Sequence, residues 1–347
     1  MTLRDALGIE HPIVLGPFGG LSSIELVAAV SDAGGLGSYG LYGYAPERIR
    51  ETIAALRQAT DRPFAVNLWL PTGDEVTPDD IDLTAASTAA APLFDELGVP
   101  VPAPPRRFLP DPDEQLQAVL EGAPAVLSVV YGVPSAALVT AAHERGIRIT
   151  GTVTTVAEAR AMDAAGVDAI VASGAEAAGH RVSFLVPAEQ SLVGTFALVP
   201  QVADAVSVPV IAAGGIADRR GVAAAFALGA SGVQVGTAFL RTRQSAASDA
   251  HRQAIAASTD TTTVLTRAMS GRLSRGIPNR AVRTLEAADA TAPFPAQNWL
   301  TGQFRAEAGK RGLGEYQSLW AGQSAALATR DDAGDVFAEL LAGIPRG

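Results

Sequence analysis

His180 is one of four histidines in the chain, and it follows a run of very small residues, Ala172-Ser173-Gly174-Ala175-Glu176-Ala177-Ala178-Gly179. A histidine so placed has three readings: a general base, a hydrogen-bond donor to a substrate, or a loop residue of no consequence. The apolar segment Asp168 to Ala172 just before it reads as a buried strand. A histidine beyond the C-terminal end of such a strand, after residues that let backbone approach a ligand closely, points toward chemistry. Two more segments end the same way. Val208 to Ala213 runs into Gly214-Gly215, and Gly232 to Val235 runs into Gly236-Thr237. Backbone N–H groups in such turns, with helix N-termini behind them, suit a phosphate. The pattern fits barrels that bind phosphorylated substrates and barrels that bind FMN alike. Asn67 interrupts the apolar run Phe64 to Leu70. It reads equally well as an amide that satisfies a nearby loop backbone and as one that reaches a ligand. His11, His143 and His251 sit beside a proline turn or on helical surfaces and are assigned no chemistry. No histidine or carboxylate spacing suggests a metal site.

These groups need a scaffold that brings strand ends together. Apolar segments alternate with helical ones along residues 12–240. The helices expected are Ile24 to Ala33, Pro46 to Gln58, Ser135 to Arg145, Val156 to Ala165, Leu198 to Val206 and Arg219 to Leu228. Ala164-Ala165-Gly166-Val167-Asp168 and Ala227-Leu228-Gly229-Ala230-Ser231 share one format, a helix end, a glycine stop and a strand start. Eight strands can be counted before residue 240. This predicts an α/β fold, a TIM (β/α)8 barrel, over residues 1–240. A proline-rich excursion with one helix, about Asp80 to Leu97, is expected at residues 71–115 as a cover or a brace for the barrel mouth. Residues 241–347 are expected to form a helical extension on the substrate side, its last helices free to pack back on the barrel. The basic stretch Thr266 to Arg280 within it reads as a solvated or inter-helix face. Gly35-Leu36-Gly37-Ser38-Tyr39-Gly40 matches G-x-G-x-x-G, but it follows a helix and enters a strand, the reverse of a dinucleotide fingerprint. Its glycines read as turn residues.

Bulk properties narrow the classes. The 347 residues suit one large barrel, and 48% hydrophobic content supplies its core. The formal net charge of −10 argues against nonspecific nucleic-acid binding but leaves an anionic substrate open, because clustered N–H groups act locally. The chain has no cysteine, which excludes disulfides, thiolate catalysis and cysteine-ligated metal centres. The N-terminal residues lack the apolar core of a signal peptide, and no apolar run is long enough to span a bilayer. The expectation is a cytoplasmic protein acting on a small molecule, with a homodimer left open.

Glu176-Ala177-Ala178-Gly179-His180-Arg181 resembles the E-A-G-G-H-R-G loop of the nitronate monooxygenases, once called 2-nitropropane dioxygenases. Ile9 to Gly20, Ala212 to Ile216, Gln234 to Thr237, and Ser270-Gly271-Arg272 with Arg275-Gly276 and Asn279 agree in order and spacing. Trp320-Ala321-Gly322-Gln323 is similar to the family's C-terminal end. The Asn67 strand with the proline-rich insertion resembles the bacterial class I branch. The resemblance implies an FMN-bound TIM barrel that oxidises alkyl nitronates, such as propionate 3-nitronate, with O2 to a carbonyl compound and nitrite. It implies that Gly215, Gln234, Gly236 and Thr237 hold the phosphate and ribityl end of FMN and that Asn67 approaches the flavin. Phe18, Ser173, Ala178, Gly179, Gly214 and Val235 complete the implied cofactor set, and His180 faces the substrate. Four positions depart from the family pattern. Ser173 replaces a glutamine, Ala178 the first glycine before the histidine, Phe18 a methionine, and Val130 a histidine.

Two other activities fit the same segments. One is an NAD(P)H-dependent FMN reductase of enoyl thioesters or quinones. The other is a flavin-free phosphate-binding barrel, a lyase or isomerase, which the shortage of lysine and aspartate at strand ends disfavours.

Overall fold

The computed structural model describes residues 2–345. Eleven strands are β1 (Ile13–Leu15), β2 (Gly37–Gly40), β3 (Phe64–Trp69), β4 (Val126–Val130), β5 (Arg148–Val153), β6 (Ala169–Ser173), β7 (Gly179–His180), β8 (Val210–Ala213), β9 (Gly232–Val235), β10 (Val264–Thr266) and β11 (Ser274–Gly276). The helices are α1 (Leu3–Leu7), α2 (Ile24–Asp32), α3 (Pro46–Ala59), α4 (Thr84–Leu97), α5 (Pro112–Gly122), α6 (Ala136–His143), α7 (Val156–Ala165), α8 (Thr195–Ala203), α9 (Arg219–Ala227), α10 (Thr237–Leu240), α11 (Asp249–Ala256), α12 (Arg280–Ala288), α13 (Ala296–Lys310) and α14 (Ala333–Leu341).

Eight strands form one parallel sheet in the order β1-β9-β8-β6-β5-β4-β3-β2. Leu36 closes it. Its N–H donates to Ile13 O at 2.9 Å, and its carbonyl accepts from Leu15 N at 2.9 Å. The result is the expected (β/α)8 barrel. Its strands are largely buried on both faces, with a few buried polar residues such as Asn67, Ser128 and Thr152, because side chains fill the interior and helices cover the outside. The G-x-G-x-x-G glycines sit at this closure. An added Cβ would meet Ile13 O at 2.7 Å from Gly35, Val27 O at 2.2 Å from Gly37 and Phe18 O at 2.8 Å from Gly40. They are close-approach glycines within and beside β2, not turn residues.

Most helix boundaries follow local signals. Ser23, Ser135 and Thr155 cap α2, α6 and α7 through side-chain acceptors, and Gly166 ends α7 in the left-handed conformation. Helix α5 corrects the sequence reading, which placed its first turn inside the excursion and left the rest unassigned. Asp111 accepts from the Asp113 and Glu114 N–H groups and Pro112 opens the helix, a start signal hidden among prolines that mark turns. It packs against α3 in the regular helix layer.

The excursion and the tail share a second apolar core. Leu93, Phe94 and Leu97 of α4 pack with Val282 and Leu285 of α12 and Leu300 and Phe304 of α13. Phe94 and Phe304 meet edge to face at 5.4 Å. The last helix, α14, packs against α2, α9 and β1. The basic stretch of the tail is not helical throughout. It forms the hairpin β10–β11, which pairs antiparallel with β7. Arg267 and Arg280 are exposed, but Arg272 and Arg275 are buried in and beside a β-hairpin, which is neither the solvated face nor the inter-helix face expected. His251 is also buried, its Nε2 2.9 Å from Trp320 O, and does not lie on a helix surface. No helix among the described residues is long and apolar enough to cross a membrane.

Candidate active site

The C-terminal ends of the barrel strands open into a cavity of about 360 Å³, within the range of ligand sites. Phe18, Asn67, Ser173, Ala178, Gly179, His180, Gly214, Gly215, Gln234, Gly236 and Thr237 all line it. Val235 does not. Its side chain is fully buried in the core, and its carbonyl accepts from Gly16 N at 2.8 Å.

The small-residue loop after β6 is held by charged groups that bulk sequence patterns conceal. Glu176 accepts from Thr195 N at 2.9 Å and from Thr195 Oγ1 at 2.9 Å, which ties the loop to the start of α8. Arg181 is buried and donates to Ser173 O at 2.5 Å and Thr154 O at 3.3 Å, and also to Ser191 O. Burial lowers its pKa to about 10, so it stays charged at neutral pH. Arg275 donates from Nε to Ala175 O at 2.9 Å. The loop is thus a backbone shape fixed from both sides. Such multidentate use of a planar guanidinium is beyond lysine.

His180 follows that loop on β7, opposite Ser274 of β11. Its Nε2 lies 2.8 Å from Ser270 Oγ. Trp69 meets the ring edge-on at 4.9 Å, and Trp320 tilts against it at 5.5 Å. Burial, and then the charges of Arg272 and Arg305, lower its pKa to about 3. The imidazole is neutral at physiological pH, with one N–H and one lone pair to share. Ser270 Oγ also lies 3.2 Å from Arg272 O. If the hydroxyl donates to that carbonyl, Nε2–H donates to Ser270 and the other ring nitrogen is basic. If it donates to Nε2, the other ring nitrogen carries the proton.

At the far end the cavity wall is backbone. Gly214 and Gly215 have φ of 98° and 74°, a region where a side chain is strained. A Cβ on Gly214 would also sit 3.1 Å from Ala177 N and 3.2 Å from Gly174 O. Among the described residues, the N–H groups of Gly215, Gly236 and Thr237 meet no acceptor within the chain. Convergent free N–H groups are what a phosphate ester needs. Ser324 Oγ donates to Gly215 O at 2.6 Å and Gly322 N to Thr237 Oγ1 at 3.0 Å, so the segment after Trp320 straps this end. Asn67 is buried, and its Nδ2 donates to Ser128 O and Ser128 Oγ, each at 3.2 Å. That leaves Oδ1 for a ligand. The amide serves the neighbouring strand and lines the cavity at once. The donors, the flat aromatic walls and the glycine cradle fit FMN.

Sequence reasoning missed Tyr42, Trp69, Asn298, Arg305 and Trp320 as lining residues. Trp69 was within reach of it, because it lies two residues beyond Asn67 and shares its face of the strand. Asn298 and Arg305 lie on α13, far along the chain, and no local signal marks them.

The chain matches the nitronate monooxygenase family over residues 1–343. It is 39% identical to a probable nitronate monooxygenase of Staphylococcus aureus strain MSSA476, covering 98% of this chain and 96% of that protein. A solved structure of nitroalkane oxidase from Streptomyces ansochromogenes superposes with a TM-score of 0.86 at 34% identity, over 97% of this chain and 96% of that one. FabK from Thermotoga maritima superposes with a TM-score of 0.75 at 30% identity, over 98% and 95%. Barrel, cavity and sequence agree, and the chain belongs to the nitronate monooxygenase family of oxidoreductases.

Proposed function

We propose that the protein binds FMN and oxidises alkyl nitronates with O2 to a carbonyl compound and nitrite. The observation that carries this reading is a neutral, fixed histidine facing a cavity whose other end is a glycine cradle. FMN, when bound, supplies the electron relay between nitronate and O2. The protein's own groups do the rest. The Gly215, Gly236 and Thr237 N–H groups are suited to the phosphate. Trp69 and Trp320 flank His180, exclude water and fix the ring. A nitronate is already deprotonated, so it needs a donor rather than a base. Donation from Ser270 to Nε2 places the proton on the other ring nitrogen, ready for a nitronate oxygen. The opposite tautomer suits proton removal from a neutral nitroalkane.

The same barrel carries a second reading, an NAD(P)H-dependent FMN reductase of enoyl thioesters or quinones, and the FabK structure superposes on nearly the whole chain. Anaerobic absorbance spectra separate the two. Bleaching of the flavin by propionate 3-nitronate alone is the expected result. Bleaching by NADH or NADPH alone would replace the first reading with the second.

A further inference from the structure

His251 is buried on α11 and does not line the cavity. Its Nε2 lies 2.9 Å from the Trp320 carbonyl oxygen. A carbonyl only accepts, so Nε2 carries the hydrogen and the tautomer is fixed. Burial lowers the ring's pKa to about 4, so the donor is a neutral imidazole at physiological pH. No other side chain among the described residues donates to that carbonyl.

Trp320 is part of the wall beside the reacting end of the site. Its indole tilts against His180 at 5.5 Å. It also rests on Gly276 of β11, where an added Cβ would meet Trp320 Cε3 at 3.0 Å and Leu319 O at 2.9 Å. Bare backbone makes room for the indole but offers no side chain to lock it. Ile277 N donates to Leu319 O at 2.8 Å, and His251 holds the next carbonyl from the other side chain layer, α11.

Within four residues the same segment reaches the glycine cradle. Gly322 N donates to Thr237 Oγ1 at 3.0 Å, Gln323 N to Glu176 O at 3.0 Å and Ser324 Oγ to Gly215 O at 2.6 Å. A Cβ on Gly322 would meet Glu176 O at 2.7 Å, so the strap lies directly on the small-residue loop. Residues 320–324 therefore touch both ends of the cavity, and His251 fixes the end near His180.

We propose that His251 is a positioning residue that holds the Trp320 carbonyl, sets the strap of residues 320–324 and so couples the cofactor cradle to the wall beside His180. The inference rests on the FMN-dependent reading for its cofactor. Without the donor, a buried carbonyl is left unpaired and the strap is free at one end. FMN must then order the strap as it binds, and its affinity falls. The His180 ring loses a fixed flank, so turnover falls rather than substrate binding.

FMN affinity is measured by fluorescence titration of the full chain stripped of bound flavin. His251→Ala is expected to weaken it about 10-fold, although the residue touches no ligand. His251→Gln, whose amide can donate to the same carbonyl, is expected to stay within about 3-fold of the parent. Ser324→Ala, at the other end of the strap, is expected to cost about 5-fold. Because both changes free one element, the double variant is expected to lose less than the product of the two, about 50-fold. In the loaded enzyme, His251→Ala is expected to lower kcat for propionate 3-nitronate about 5-fold with KM within about 2-fold. Unchanged FMN affinity in His251→Ala, or a double-variant loss equal to the product, overturns the coupling. Should His251→Ala fail to fold, His251→Phe, which fills the buried site without a donor, takes its place in the cycle. A parent that binds FMN but oxidises no nitronate removes only the kinetic arm, and the binding cycle decides. A parent that binds no FMN overturns the functional reading and the coupling together.

Discussion

The two ends of the cavity are made of different material. The glycine end offers backbone N–H groups from two adjacent barrel loops, and only conformation decides whether they converge. The histidine end offers side chains from residue 42 to residue 320, brought together by the barrel, the excursion core and the tail. Backbone chemistry is local and tolerates sequence change as long as the left-handed turn survives. Side-chain chemistry is assembled at long range, so each member can vary alone and change what binds.

The contrast is broken most directly at Gly214. Gly214→Val places a branched side chain at φ 98° against the Ala177 and Gly174 backbone. The variant is expected to purify without flavin, with FMN affinity at least about 100-fold weaker by fluorescence titration. A yellow variant with normal affinity would show that the backbone end does not hold the cofactor. At the other end, His180→Asn is expected to keep the flavin and lose on the order of 100-fold in turnover. Loss of flavin in that variant would erase the distinction between the two ends. The smallest effect is a flat profile. With the imidazole pKa at about 3, kcat/KM for a nitronate is expected to show no inflection between about pH 5 and 8. The same shift acts on stability. The unfolded ring titrates near 6.5 and the folded ring near 3, so its contribution is complete above pH 6.5 and is lost as pH falls towards 3. Thermal melts across that window check the sign.

The barrel was legible because each βα unit repeats the same local signals, caps such as Ser23 and Thr155 and stops such as Gly166. The glycine end was legible for the same reason, since Gly214-Gly215 and Gly236 follow apolar strands directly. Val235 was misplaced because it lies beside those glycines yet points into the core, a matter of strand alternation rather than of neighbourhood. Helix α5 was hidden because Asp111-Pro112 starts a helix with residues that also make turns. Arg272 and Arg275 read as part of a solvated or inter-helix face, because the carboxylates that pair with Arg272 and the Ala175 carbonyl that Arg275 binds lie about a hundred or more residues away. Arg305 and Asn298 were hidden because α13 is far in sequence from the strands whose ends they face, as the Asn298–Tyr42 bond shows.

Strand β7 gives the site a place in time. Its hydrogen-bonding partner, β11, lies almost a hundred residues downstream, and the strap over Gly215 comes later still. Contacts of such sequence separation form late, after the entropy of closing a long loop has been overcome. On the ribosome, all eight barrel strands have emerged while His180 still lacks Ser270 and the cradle still lacks Ser324. The mouth of the cavity is therefore completed only by the C-terminal part of the chain, and its sealing belongs to the last stage of folding.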